Sequence, residues 1–280
     1  MSVGNPTYDR TADTIRRLIQ AGIRPDLLCT VNAETAQYGK QVYETLAAFD
    51  SGWMQFIPIV VRDEQGRVTE DSVTPEAYGR FLKDVFAAWY FHDLGRCEVQ
   101  LFSEMALALT GKDPTLCWMA PECGNVLITE KDGGIYSCDH FVDPGHRIGN
   151  VRSDSFRDLL NEPFQKTFGR SKKEALTDQC RQCPYLHLCG GGGLKDRFGR
   201  SETGQAGQYY LCSGLLALFD YAVPKLKQAM QLSSEGKSPQ EIMQLAVREE
   251  RMRFSKVGRN DLCPCGSGLK FKFCCARRMP

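Results

Sequence analysis

At 280 residues the chain can hold one large domain or two ordinary ones, and 42% hydrophobic with 25% charged residues is the composition of a globular protein with a substantial core. A formal net charge of +1 argues against nucleic acid as the main partner, so no specific DNA binding is expected. The opening MSVGNPTYDR has no apolar core behind a charged start, and runs such as FIPIVV and GLLALF are too short to span a bilayer, so neither a secretory signal nor a membrane span is expected.

Residues 11–22, TADTIRRLIQAG, set Ile15, Leu18 and Ile19 at helical spacing and stop on Gly22. DLLCTVN (26–32) reads as a short buried strand, a second helix is expected over about 37–49, and WMQFIPIVV (53–61) reads as another strand. Helix then strand, twice, points to a parallel α/β layer. Two such strands make a poor sheet alone, so the segment reads as the end of a larger α/β unit or as one that needs a partner. TPEAYGRFLKDVFAAWYF (74–91) is a longer amphipathic helix opened by Thr74 as cap and Pro75 in the first turn. From Cys117 the texture changes to cysteines, glycines and short β-like runs, NVLITE and GGIYSC, which suggest a loop-rich, metal-held domain. A helical stretch over about 206–232 closes it. SSEGK reads as a linker, and SPQEIMQLAVREE (238–250) as a helix with a capping box of Ser238 and Glu241 and Pro239 at its first position.

Thirteen cysteines without an export signal favour metal binding over disulfides and place the chain in a reducing cytoplasm. Cys180, Cys183 and Cys189 form C-x2-C-x5-C, with Cys212 downstream; Cys117, Cys123 and Cys138 lie upstream in a segment that includes Gly133. Short C-x2-C loops turn two thiolates towards one centre, and soft thiolates select zinc or iron–sulfur clusters, between which spacing does not decide. The lone Cys29 and Cys97 read as buried small apolar residues.

The strings CWMAPECGNVL, GGIYSCDHFVDP, IGNV and CRQCPYLHLCGGGGLKDRF, over residues 115–212, resemble the SPASM domain of radical S-adenosylmethionine enzymes, specifically the anaerobic sulfatase-maturating enzymes. NPTYDRTADTIRRL, the strand ending at Val31-Asn32 and QFIP at 55–58 extend the resemblance to roughly residues 4–230. The resemblance implies an α/β fold: the last strands of a partial TIM-type barrel, then a loop-rich iron–sulfur domain. It implies auxiliary [4Fe–4S] clusters, the first on Cys117, Cys123 and Cys138 and the second on Cys180, Cys183, Cys189 and Cys212. It also implies that Asp139 is the catalytic base and His140 a structural neighbour, and that a cysteine or serine of a target sulfatase peptide is oxidised to formylglycine. A carboxylate beside a cluster suits that chemistry, because a proton and an electron must leave together with the abstracted hydrogen.

Two departures stand against the match. The first cluster's fourth cysteine corresponds to Gly193, which offers no side-chain ligand, and the C-x3-C-x2-C loop that holds the catalytic cluster and S-adenosylmethionine is nowhere in these residues. S-adenosylmethionine is therefore expected only if a preceding segment is supplied, and the chain alone is not expected to turn over. Two other classes of function compete: a non-catalytic iron–sulfur protein that carries electrons or binds peptides, and an adaptor whose central cysteines hold structural zinc.

GRNDLCPCGSGLKFKFCC (258–275) resembles the SEC-C motif of export-motor tails. Cys263, Cys265, Cys274 and Cys275 supply four thiolates for a closed Zn2+ site, folded back by the Gly266-Ser267-Gly268 turn; at about thirty residues the metal would supply the folding energy. From Arg251 to the end there are eight basic residues against one acidic, a surplus of +7 within a total of +1, which leaves about −6 for the rest. Lys270, Lys272, Arg277 and Arg278 surround the site, and the resemblance suggests docking to an acidic chaperone or the ribosome. The expected divisions are 1–110 for the barrel end, 111–232 for the iron–sulfur domain, 233–257 for linker and helix, and 258–280 for the zinc knuckle.

Overall fold

The computed structural model describes residues 7–265 and 267–280; Asn5 and Pro6 of the NPTYDR string and Gly266 of the knuckle turn lie outside the described residues. The chain forms two compact units, Met1–Ala106 with Ala217–Pro280, and Leu107–Leu216.

The first unit begins with α1 (Tyr8–Gln20), β1 (Leu27–Val31), α2 (Gly39–Ala47), β2 (Trp53–Pro58), α3 (Pro75–His92) and β3 (Glu98–Val99), after which α4 (Gln100–Leu109) leads out of it. The sheet is parallel in the order β1-β2-β3, with Leu27 opposite Met54 and Trp53 opposite Glu98. The third strand is a correction to the two-strand expectation: two residues are too short to leave a periodic pattern. Thr74 caps α3 by accepting a hydrogen bond from the Ala77 amide at 3.2 Å, and the helix buries Phe81, Leu82, Val85 and Phe86 completely. Each such side chain stabilises the fold by about 1.5–3 kcal/mol relative to exposure. Phe86 packs edge-on against Phe102 at 5.0 Å, and the Trp89 indole donates to the Cys97 carbonyl at 2.8 Å. Cys97 is buried as expected, but Cys29 is only half-buried, because β1 is an edge strand and the neighbouring Leu28 is exposed. In α1 only Ala12 is buried.

The second unit is built of short pieces. An antiparallel sheet of β4 (Ile128–Thr129), β5 (Gly134–Tyr136) and β6 (Arg147–Asn150) precedes α5 (Phe156–Asn161), α6 (Pro163–Glu174), α7 (Asp178–Arg181) and α8 (Leu186–Cys189). The hairpin β7 (Gly199–Arg200) and β8 (Ala206–Gln208) then leads to α9 (Cys212–Ser234). The helix expected from about 206 therefore starts at Cys212: Gly204 and Gly207 adopt positive φ, which breaks a helix and turns the hairpin. α6 is so polar that it leaves no apolar stripe, yet Gln165, Gly169 and Lys172, spaced at helical intervals, form its buried face.

The first unit resumes with α9 and α10 (Pro239–Phe254). The capping box forms: Ser238 Oγ accepts from the Glu241 amide at 3.3 Å and the Ser238 amide donates to Glu241 Oε2 at 2.9 Å. The Cys-rich end follows as two 3₁₀ turns. No helix among the described residues is long and apolar enough to cross a membrane.

Candidate metal centres

Local structure that the sequence dictates positions Cys180, Cys183, Cys189 and Cys212 close enough for their thiols to act on one another. Thr177 Oγ1 accepts from the Cys180 amide at 3.2 Å and caps α7, which sets Cys180 and Cys183 on one turn. Cys189 ends α8, where Gly190 takes a left-handed φ of +53°. A Cβ on Gly190 would come within 2.6 Å of the Ala120 carbonyl and closer still to that of Met119, so only glycine lets this turn lie against the 117–123 loop. Cys212 opens α9. Gln208 bridges two of the thiols: Cys180 Sγ donates to its Oε1 at 3.6 Å and its Nε2 donates to Cys212 Sγ at 3.0 Å. The Gly191 amide donates to Cys189 Sγ at 3.4 Å. Burial, with Cys183, Cys180 and Cys212 adding to it, pushes the Cys189 thiol up to about 12. Four thiols that act on one another, with N–H groups aimed at two sulfurs, fit a thiolate-ligated iron–sulfur cluster.

The other site is looser. Cys117 is exposed, and Cys123 and Cys138 are half-buried. The buried face of α6 holds their loops: the Gln165 amide nitrogen donates to the Gly124 carbonyl at 2.8 Å and the Ser137 carbonyl at 3.3 Å, and the Cys123 amide donates to the Gly169 carbonyl at 3.1 Å. Burial pushes the Cys138 thiol up to about 12, with Asp139 and Cys117 contributing in the same direction. Its Sγ donates to Asp139 Oδ1 at 3.2 Å, and His140 Nδ1 stands 3.0 Å from that oxygen. Cys138, Asp139 and His140 thus bring their ligating atoms within 4.8 Å of one another. His140, read from the sequence as a neighbour, contacts both the thiol and the carboxylate. Gly193 differs from Gly190 in needing no glycine: its φ is −70°, and a Cβ there would meet Trp118 Cβ at an ordinary 3.6 Å. Three thiols fit a cluster with one iron free of cysteine.

Two cations missed by the sequence reading lie among these loops. Lys172 is fully buried, and its Nζ donates to the Cys117 carbonyl at 2.7 Å and to the Ala120 carbonyl. Burial pulls its ammonium down to about 8. The Arg197 guanidinium donates to the carbonyls of Gly190, Gly191 and Gly192. A cavity of 530 Å³ opens beside Cys183, lined by Met119, Leu176, Arg181, Leu186 and His187.

At the C-terminus the sulfurs of Cys263, Cys265, Cys274 and Cys275 all lie within 4.8 Å of one another. A β-bridge between Leu262 and Lys270 folds the strand back, fixed by the Cys263 amide donating to the Leu269 carbonyl at 2.8 Å. Cys263, Cys274 and Cys275 pack with Phe254, from the end of α10, and Phe271 in one small core. Although burial opposes it, hydrogen bonding by Ser267 and the neighbouring thiols draws the Cys265 thiol down to about 6. Four thiols at this spacing, one of them readily ionised, fit a tetrahedral soft-metal site. Of the four basic residues expected around it, Arg278 turns inward and pairs with Asp84 of α3 at 2.7 Å.

Two family models match parts of the chain. The SPASM iron–sulfur cluster-binding domain matches residues 117–184, and the SEC-C motif matches residues 259–277. The serine-type anaerobic sulfatase-maturating enzyme of Bacteroides thetaiotaomicron is 30% identical over 256 residues, which cover 86% of this chain and 62% of that enzyme. The cysteine-type enzyme of Clostridium perfringens is 27% identical over 205 residues, covering 72% of this chain and 55% of the enzyme. The solved structure of native anSMEcpe with bound AdoMet and Cp18Cys peptide superposes with a TM-score of 0.70 at 25% identity, over 82% of this chain and 63% of that one. The tail is 53% identical over 47 residues to the protein translocase subunit SecA of Clostridium perfringens, 17% of this chain and 5% of SecA. The chain spans less than two thirds of the length of the curated relatives it matches. It is similar to the anaerobic sulfatase-maturating enzymes of the radical SAM/SPASM family, with a mixed α/β fold like theirs, and it carries a SEC-C motif.

Proposed function

We propose that this chain supplies the auxiliary-cluster part of a cytoplasmic sulfatase maturase, a radical S-adenosylmethionine enzyme that oxidises a cysteine or serine of a sulfatase peptide to formylglycine. The observation that carries the reading is that seven cysteines lie in one unit, five of them within the SPASM match, with a carboxylate 3.2 Å from one of the thiols. Cys180, Cys183, Cys189 and Cys212 hold one [4Fe–4S] cluster; Cys117, Cys123 and Cys138 hold the other, with the fourth position left open at Gly193. Bound clusters supply a sink for the electron that the substrate loses.

The chain's own residues supply the base and its setting. Asp139, with its side chain more than half exposed, accepts the proton released from the substrate's thiol or hydroxyl. His140, 3.0 Å from the carboxylate, orients it. The edge position of β1 and the half-covered α1 support a place at the end of a partial barrel, where further strands would cover Leu28. The C-terminal thiols hold Zn2+, and Lys270 and Arg277, both exposed, leave a basic surface for an acidic chaperone or the ribosome.

The test is anoxic reconstitution of the full chain, followed by iron and sulfide analysis, then incubation with S-adenosylmethionine, a sulfatase peptide and a separately supplied protein segment bearing C-x3-C-x2-C. Clusters with peptide oxidation that depends on this chain are expected. A colourless, iron-free protein that holds only zinc would sink the reading in favour of the adaptor.

A further inference from the structure

Burying a charged side chain in a protein interior costs several kcal/mol unless opposite charge meets it. Lys172 is such a group, and the half-buried Arg197 stands with it in one small unit. Lys172 has no exposed surface, whereas its neighbour Lys173 on the outer face of α6 is exposed. The two cations are tied together, because Arg197 Nη1 donates to the Lys172 carbonyl at 2.5 Å. Their hydrogen bonds run to carbonyls of the loops that carry the ligand cysteines: Cys117 and Ala120 on one side, and Gly190, Gly191 and Gly192, directly after Cys189, on the other. The thiols acting on Lys172 are Cys123 and Cys117 of the first site and Cys189 of the second. Those acting on Arg197 are Cys180 and Cys189 of the second site and Cys123 of the first. The Gly190 turn lies against the Met119 and Ala120 carbonyls, so Lys172 on one loop and Arg197 on the other stand where the ligand loops of the two sites meet.

Neutral thiols do little for a buried cation, and two like charges side by side raise the cost. Thiolates gathered on an iron–sulfur cluster carry net negative charge, which supplies the missing compensation. We infer that Lys172 and Arg197 form a cationic bridge shared by the two iron–sulfur sites, setting the reduction potentials of both together. The inference rests on the cluster reading above. Reduction adds one negative charge to a cluster, and a fixed cation nearby stabilises that form, so the bridge raises both potentials. Because the same two charges serve both sites, a change in either moves the pair in step. Lys172 is thus a positioning residue: it touches backbone of the ligand loops, not substrate.

The experiment is an anoxic redox titration of the reconstituted full chain, followed by electron paramagnetic resonance, for the wild type, Lys172→Met and Lys172→Arg. Lys172→Met is expected to keep its iron and sulfide while the midpoints of both clusters move to more negative values; Lys172→Arg is expected to restore most of the shift. Unchanged midpoints in an iron-loaded Lys172→Met protein overturn the bridge, and so does a shift confined to one cluster. Should Lys172→Met fail to load iron, Lys172→Gln keeps an N–H donor for the two carbonyls and carries the same expectation. If both neutral variants fail to load while Lys172→Arg loads, the charge itself is required, as the bridge demands. If Lys172→Arg fails with them, shape rather than charge is at work and the inference falls. A wild-type chain that assembles no clusters refutes the cluster reading instead, so the two failures are distinguishable.

Discussion

Gly193→Cys restores the thiolate that the first site lacks, and the backbone permits it. At φ −70° and ψ 141° the residue sits where any L-amino acid is comfortable, and its Cβ would rest 3.6 Å from Trp118 Cβ, an ordinary contact. Replacing a glycine at such a position stabilises a fold by about 0.4–1 kcal/mol through the unfolded chain, so the metal-free variant should melt at or a few degrees above the wild type. Gly190→Cys is the contrast: with φ +53° and the Ala120 carbonyl only 2.6 Å from the new Cβ, it should cost about 1–3 kcal/mol or more and lower the melting point. After anoxic reconstitution, both wild type and Gly193→Cys are expected to approach ~8 irons per chain from two four-iron clusters. A chelator should then strip the first cluster of the wild type faster than that of the variant, because one wild-type iron has no cysteine. Equal loss rates in the two proteins, with a spectrum unchanged by the substitution, would refute the open-iron argument.

Three further outcomes follow from the geometry. Asp139→Asn should leave cluster content intact and lower peptide oxidation by about 10²–10⁴-fold in the assembled assay, the usual worth of a positioned base; retention of full rate would remove Asp139 from the chemistry. Cys274→Ser should abolish stoichiometric zinc and increase hydrogen exchange across 258–280, since a module this small has little else to fold it; unchanged protection would show that Phe254 and Phe271 suffice. Glu241 has its carboxyl held below the ordinary 4.5, first by the Ser238 amide and then by the Ser238 hydroxyl and Lys237. Its folded value is the lower one, so its contribution is complete above 4.5 and is lost as pH falls through the depressed value. Exchange at the first turn of α10 should therefore rise on acidification below 4.5, and Glu241→Gln should show the raised exchange already at neutral pH.

The elements with strong local grammar were legible in the sequence. α3 announced itself through Thr74-Pro75 and an apolar stripe, α10 through its capping box, and the metal centres through cysteine spacing. What escaped was decided by tertiary context. β3 exists because two residues happen to lie beside β2, and its brevity hides it. α6 has a buried face of a glutamine, a glycine and a lysine, which no hydrophobic pattern can reveal. Lys172 and the half-buried Arg197 look like surface residues in the sequence, because what draws them inward is carbonyls of distant loops. Arg278 was grouped with an outward-facing basic patch; Asp84, nearly two hundred residues earlier in the chain, turns it inward.

The knuckle shares its core with the last residue of α10, so the state of its sulfurs is written into a helix end. Thiols that oxidise, or that lose their ion, leave Phe254 and Phe271 without the partners that cover them. An apolar, unravelled terminus is where proteases first gain purchase on a chain. Loss of the ion would thus be felt at the end of α10 as well as in the tail itself.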